Sequence, residues 1–98
     1  MYVIININKL IIATSIHQTN HIYVAGLHIQ HHTNHTEEKF LYAGNIVDAK
    51  KFETEQEAWF YIYDFYGMDY GKRTFIVASI KDDAIKNLSR IKLGETNG

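Results

Sequence analysis

Four of the chain's six histidines fall in one short stretch, His28-Ile-Gln-His31-His32-Thr-Asn-His35, and the carboxylates Glu37 and Glu38 follow directly. The other two, His17 and His21, lie just upstream. Histidine and carboxylate are the ligands left to zinc where thiolate is absent, and the chain has no cysteine. Zinc asks for about three or four ligands converging at roughly 2.1 Å, so the stretch must fold back on itself to supply them. A helix would bring His28 to His32, and His31 to His35, at i, i+4 spacing. The apolar periodicity of such a helix is missing, and Thr33-Asn34 favours a turn. Two readings stay open: a site for zinc or another divalent metal built from His28, His31, His32 and His35, or a solvated loop over residues 30–38. His35 beside Glu37 or Glu38 also has the elements of an acid–base pair. With no nucleophile, oxyanion or phosphate-binding motif beside it, the sequence reads as non-enzymatic and without an obligatory cofactor.

The run Trp59-Phe-Tyr-Ile-Tyr-Asp-Phe-Tyr66, extended by Tyr70, points to recognition instead. On a helix, Ala58, Tyr61, Ile62, Phe65 and Tyr66 share one face and form a core stripe. Trp59, Phe60 and Tyr63 then turn away from that stripe, where a surface helix ordinarily carries charge. Large amphipathic rings there fit a partner-binding patch, because they give much contact area at low entropic cost. The alternative is that a second helix or the histidine loop covers them.

These residues need elements to position them. "YVIINI" (residues 2–7), then "LIIATSI", "HIYVAGLHI" and "KFLYAGNIV", are short, apolar and rich in β-branched or aromatic residues, and predict four strands. Asn8-Lys9 suits a hairpin turn between the first two. Thr54 with Glu57 three positions later makes a capping box, which starts a helix at about 55–66, and Gly67 stops it. Residues 73–80 predict a fifth strand. A last helix follows, capped by Asp82 or Asp83, with Ala84, Ile85, Leu88 and Ile91 on one face and Gly94 as its stop. The expected fold is one α+β domain: an antiparallel sheet of about five strands with two helices on one face, in the order β-β-β-β-α-β-α, and a frayed tail over residues 94–98.

Ninety-eight residues, 46% hydrophobic and 13% aromatic, suffice for a single folded core and exclude a disordered chain. A net charge of −1 provides no general field toward nucleic acid or anionic membrane. Lys50, Lys51, Lys72, Arg73, Lys81, Lys86, Arg90 and Lys92 are interleaved with Glu53, Glu55, Asp69, Asp82 and Asp83, so nucleic-acid binding is a lesser alternative. The acidic set Glu37, Glu38, Glu53, Glu55, Glu57, Asp64 and Asp69 can instead compete with nucleic acid for a basic groove on another protein. No apolar run reaches the roughly 20 residues of a membrane-spanning helix. Asn6, Asn8 and Lys9 interrupt the first apolar segment, which reads as strand rather than leader. The lack of cysteine suits the cytoplasm.

Ala49, Phe52, Thr54 and Ala58, an Ala-x-x-Phe-x-Thr-x-x-x-Ala run, together with the opening "YVI", resemble a set of short uncharacterised proteins from phages and prophages of Gram-positive bacteria. That resemblance covers about a quarter of the chain. It implies a viral protein in the host cytoplasm that binds a host protein complex, as an inhibitor of a defence nuclease does; a homodimer through the Trp59, Phe60 and Tyr63 patch is a further possibility. The histidine stretch and the aromatic run stand outside the shared pattern.

Overall fold

The computed structural model describes residues 1–16 and 21–81. Their element order is β1 (Tyr2–Asn6), α1 (Ile7–Ile16), β2 (Tyr23–His31), β3 (Thr36–Ala43), a 3-10 turn (Ile46–Asp48), α2 (Glu55–Tyr66), α3 (Met68–Thr74) and β4 (Phe75–Ser79). The strands form one antiparallel sheet in the order β3-β2-β1-β4. The α+β class expected from the sequence is therefore present, with four strands and three helices among the described residues. The helix expected after Asp82 or Asp83 lies outside them.

One expected strand is a helix. Residues 10–16 belong to α1, and the hairpin expected at Asn8-Lys9 is absent. Asn6 caps its start: the Oδ1 accepts from the Lys9 N–H at 3.1 Å, the geometry of an N-cap side chain on the third residue of a helix. The last residue of β1 thus starts α1 with no intervening turn. Asn6 is buried, and its Nδ2 donates to the Tyr42 hydroxyl at 3.0 Å. The expected strand over 39–47 also ends early. Beyond Ala43, Asn45 accepts from the Val47 N–H at 2.9 Å and caps the 3-10 turn.

β1 is the spine of the sheet. It runs its full length along β4, from Tyr2 opposite Ser79 to Asn6 opposite Phe75. On its other side it meets β2 only at Ile5 and Tyr23. The gap left as β2 diverges is filled by residues 50–52: Phe52 exchanges both backbone hydrogen bonds with Tyr2 (2.8 and 2.9 Å), and Lys50 donates to Val24 O at 2.9 Å. Backbone groups that the short β1–β2 ladder would leave unpaired are satisfied in this way. Val3 and Ile4, neighbours that alternate between faces, are both 0% exposed, so β1 is covered on each side.

The core joins Ile4, Val24, Phe40, Phe52, Ala58, Ile62 and Phe75. α2 lies over β1 and β4. Its start and stop are as the sequence predicts: Thr54 Oγ1 accepts from the Glu57 N–H at 3.1 Å, and Gly67 ends it at φ 84°, a conformation glycine adopts at least cost. Ala58 and Ile62 on the predicted stripe are fully buried. α3, which the sequence does not announce, follows at once and is held against α2 at Gly71.

Candidate partner-binding surface

α2 divides the predicted recognition residues. Phe60 points away from the core and is 54% exposed. Trp59 and Tyr63, one turn apart, stack at 5.6 Å between ring centroids and rest half-buried against the rim of the core. Trp59 Nε1 donates to Glu55 Oε1 at 3.4 Å, which orients the indole. Tyr63 lies beside Gly71, so one edge of the stack is walled by α3. Tyr70 of α3 is 47% exposed and lies over Tyr66 at 5.0 Å. Of the four predicted residues, Phe60 and Tyr70 are exposed, each on its own helix, while Trp59 and Tyr63 form a partly buried ledge on α2. Of the three α2 rings expected off the core stripe, Phe60 is exposed, whereas Trp59 and Tyr63 pack partly against the core, with α3 beside Tyr63.

The histidine stretch is a hairpin tip. β2 extends to His31 and β3 begins at Thr36, so the expected loop over 30–38 contracts to a turn. It closes on Thr33-Asn34, with His32 N–H donating to His35 O at 2.8 Å. The rings of His32 and His35 stack at 4.5 Å, His32 Nε2 meets Glu37 Oε2 at 3.2 Å, and His31 Nδ1 pairs with Thr36 Oγ1 at 3.3 Å. His28 sits back along the strand opposite Lys39. Strand alternation puts His28 and His31 on opposite faces. Among the described residues, no three histidine or carboxylate side chains converge to hold a metal ion. His17 lies outside them.

The cations do not form a stripe. Lys50 Nζ is over the rings of Phe52 and Tyr61, Lys51 Nζ donates to Val47 O, and Arg73 pairs with Asp69 at 3.4 Å. Lys86, Arg90 and Lys92 lie outside the described residues. Desolvation lowers the Lys51 ammonium from its ordinary range, with Asp48 opposing. Burial pushes the Tyr42 and Tyr66 phenols up; the hydrogen bond from Asn6 opposes this at Tyr42, and one with the Phe40 backbone opposes it at Tyr66.

A second feature escaped the sequence. From Leu27 to Lys39 the hairpin is exposed throughout and stands off the body as an arm. At its root, against α2, is a cleft of about 310 Å³ lined by Leu27, Glu38, Phe40, Tyr61, Asp64 and Phe65. A β-bulge between Val24 and Gly26 creates it: the extra residue returns Leu27 to the face that Val24 and Phe40 occupy. Only the register, which sequence does not disclose, brings Glu38 and Asp64 to one opening.

Among described residues no helix is long and apolar enough to cross a membrane. No family model matches the chain, and neither a curated protein nor a solved structure shows significant similarity to it.

Proposed function

We propose that the chain is a non-enzymatic protein-binding module whose contact surface is the aromatic outer side of α2 and α3. The observation that carries this reading is Phe60, a phenyl ring 54% exposed in the middle of a well-capped helix. Exposure there leaves a large apolar side chain in water, while the Trp59–Tyr63 stack on the same helix adds further aromatic area. Central exposed aromatics on a rigid element are what binding hot spots are made of. The resemblance to phage proteins supports a host factor as the target, a defence nuclease being the kind of complex such a surface blocks by occupancy.

The test is capture from a Gram-positive host lysate with tagged wild-type protein beside the Phe60→Ala and Tyr70→Ala variants. A partner retained by wild type and lost with Phe60→Ala, while the melting curve is unchanged, supports the reading. Equal capture by all three proteins overturns it. Sizing the same samples separates a host partner from a homodimer.

A further inference from the structure

The cleft at the root of the hairpin arm has a composition that selects its occupant. Its floor and walls are the aliphatic Leu27 and the rings of Phe40, Tyr61 and Phe65. Each wall contributes one carboxylate: Glu38 from β3 and Asp64 from α2. Lysine, arginine and histidine are all missing from the lining. An uncharged apolar occupant would leave two carboxylates facing buried apolar surface, and an anion would be repelled by both. A cation with an apolar body satisfies floor and rim together. One of these rings, Tyr61, already takes an ammonium from within the chain, since Lys50 Nζ sits 5.4 Å from its centroid, a distance at which a cation is attracted to a ring face.

We propose that this cleft binds an arginine side chain presented by a basic segment of a partner protein. Guanidinium is favoured over ammonium because it is planar: it lies flat on an aromatic wall while its fork donates to carboxylates. A peptide is favoured over a small cation because the cleft is open and its apolar floor continues outward. Ile29, on the same strand face as Leu27 and opposite Glu38, is 51% exposed and would cover an apolar residue flanking the arginine. The volume, about 310 Å³, is at the small end for ligand sites, which suits one anchoring side chain. The proposal rests on the reading of the chain as a protein-binding module and adds a charged anchor on the flank of α2 opposite the Trp59–Tyr63 ledge.

The test is selection of random peptides displayed on phage against the immobilised full chain, followed by titration of the selected sequence as a synthetic peptide. The expected result is enrichment of arginine flanked by apolar residues. Binding should weaken by on the order of tenfold or more in the Glu38→Gln/Asp64→Asn variant, the loss expected for a charged hydrogen-bonded contact, with its melting curve unchanged. Lysine in place of the arginine should bind more weakly. Selected peptides without a basic residue, no enrichment at all, equal binding by the variant, or a concentration-dependent dimer that the variant abolishes each overturn the proposal. The Phe60→Ala variant distinguishes the two claims. If it loses the lysate partner while Glu38→Gln/Asp64→Asn keeps it, the cleft proposal falls and the surface reading stands; the converse result removes the surface reading and leaves the cleft.

Discussion

Gly71 of α3 lies so close to Ile62 of α2 that a Cβ built on it would stand 2.6 Å from the Ile62 Cγ2 atom. Ile62 is 0% exposed and its branch methyl is fixed in the core, so it has nowhere to retreat. Gly71→Ala should therefore destabilise the fold by about 1–3 kcal/mol, the usual cost of overpacking a filled site, although alanine is the better helix former. Lys72→Ala, exposed on the same helix, should change stability by no more than about 0.5 kcal/mol. Chemical denaturation of the two variants checks this, and a neutral or stabilising Gly71→Ala would show that α3 does not pack as described.

Rings along α2 should separate by depth. Ile62→Ala should cost about 2–5 kcal/mol and Phe40→Ala about 3–5 kcal/mol, since Phe40 contacts Tyr61, Phe65, Tyr66 and Phe75 at once. Phe60→Ala should leave the melting curve almost where it was. Trp59→Ala should fall between, because a partly buried ring and a stacking contact worth about 0.5–1.5 kcal/mol are lost. A Trp59 variant as unstable as the Ile62 variant would make the ledge core rather than surface.

Asn6 joins β1, α1 and β3 through one side chain. Asn6→Ala removes the cap on Lys9 and the donor to Tyr42, and should cost about 1–3 kcal/mol. The helical circular dichroism signal of α1 should weaken with it. An Asn6→Ala protein with unchanged stability would mean that α1 does not depend on its cap.

That residue also marks where sequence reading and structure part. Leu10, Ile11 and Ile12 carry the β-branched, apolar character of a strand, and as a helix they display no core-facing period, since Ile11 and Ile12 are both exposed. Propensity and pattern agreed with each other on a strand, yet the segment is a helix whose first turn is capped by Asn6. α2, by contrast, was legible from end to end because Thr54, the Ala58–Ile62 spacing and Gly67 all say the same thing. α3 was not read from the sequence at all, and its Gly71 is explained only by the proximity of Ile62. Phe60 was legible as a candidate contact residue because the wheel alone places it opposite Ala58 and Ile62. The Leu27–Phe65 cleft was not, since a bulge changes which residues share a face without changing the sequence pattern around it.

Stability should fall on the alkaline side. Burial raises the Tyr42, Tyr61 and Tyr66 phenols above their ordinary value of 10.0. The folded chain then keeps protons that the unfolded chain has already released, so stability is intact below pH 10 and declines as pH rises through the folded values. Lys51, lowered from 10.5, works in the opposite direction over its own window and softens the decline. Melting temperatures measured across that range should drop, and Tyr42→Phe should flatten the curve. An unchanged slope in Tyr42→Phe would remove its phenol from the explanation.

Zinc should leave the fold where it is. His32 and His35 stack, but His28 and His31 lie on opposite faces of β2, so saturating zinc is expected to move the melting temperature negligibly and a chelator not at all. A stoichiometric shift on zinc addition would require the hairpin tip to rearrange.

β1 makes its long ladder with β4, the last described strand, whereas β2 and β3 need only the turn at Thr33-Asn34. During synthesis the hairpin can close as soon as it leaves the ribosome, while Val3 and Ile4 must wait until residues 75–79 have emerged. Until then the apolar spine of the sheet is an open strand edge, the kind of surface that chaperones hold and that neighbouring nascent chains capture. The yield of folded protein in the cell should thus depend more on how quickly the far end of the chain is delivered than on how strongly its early segments favour their own structure.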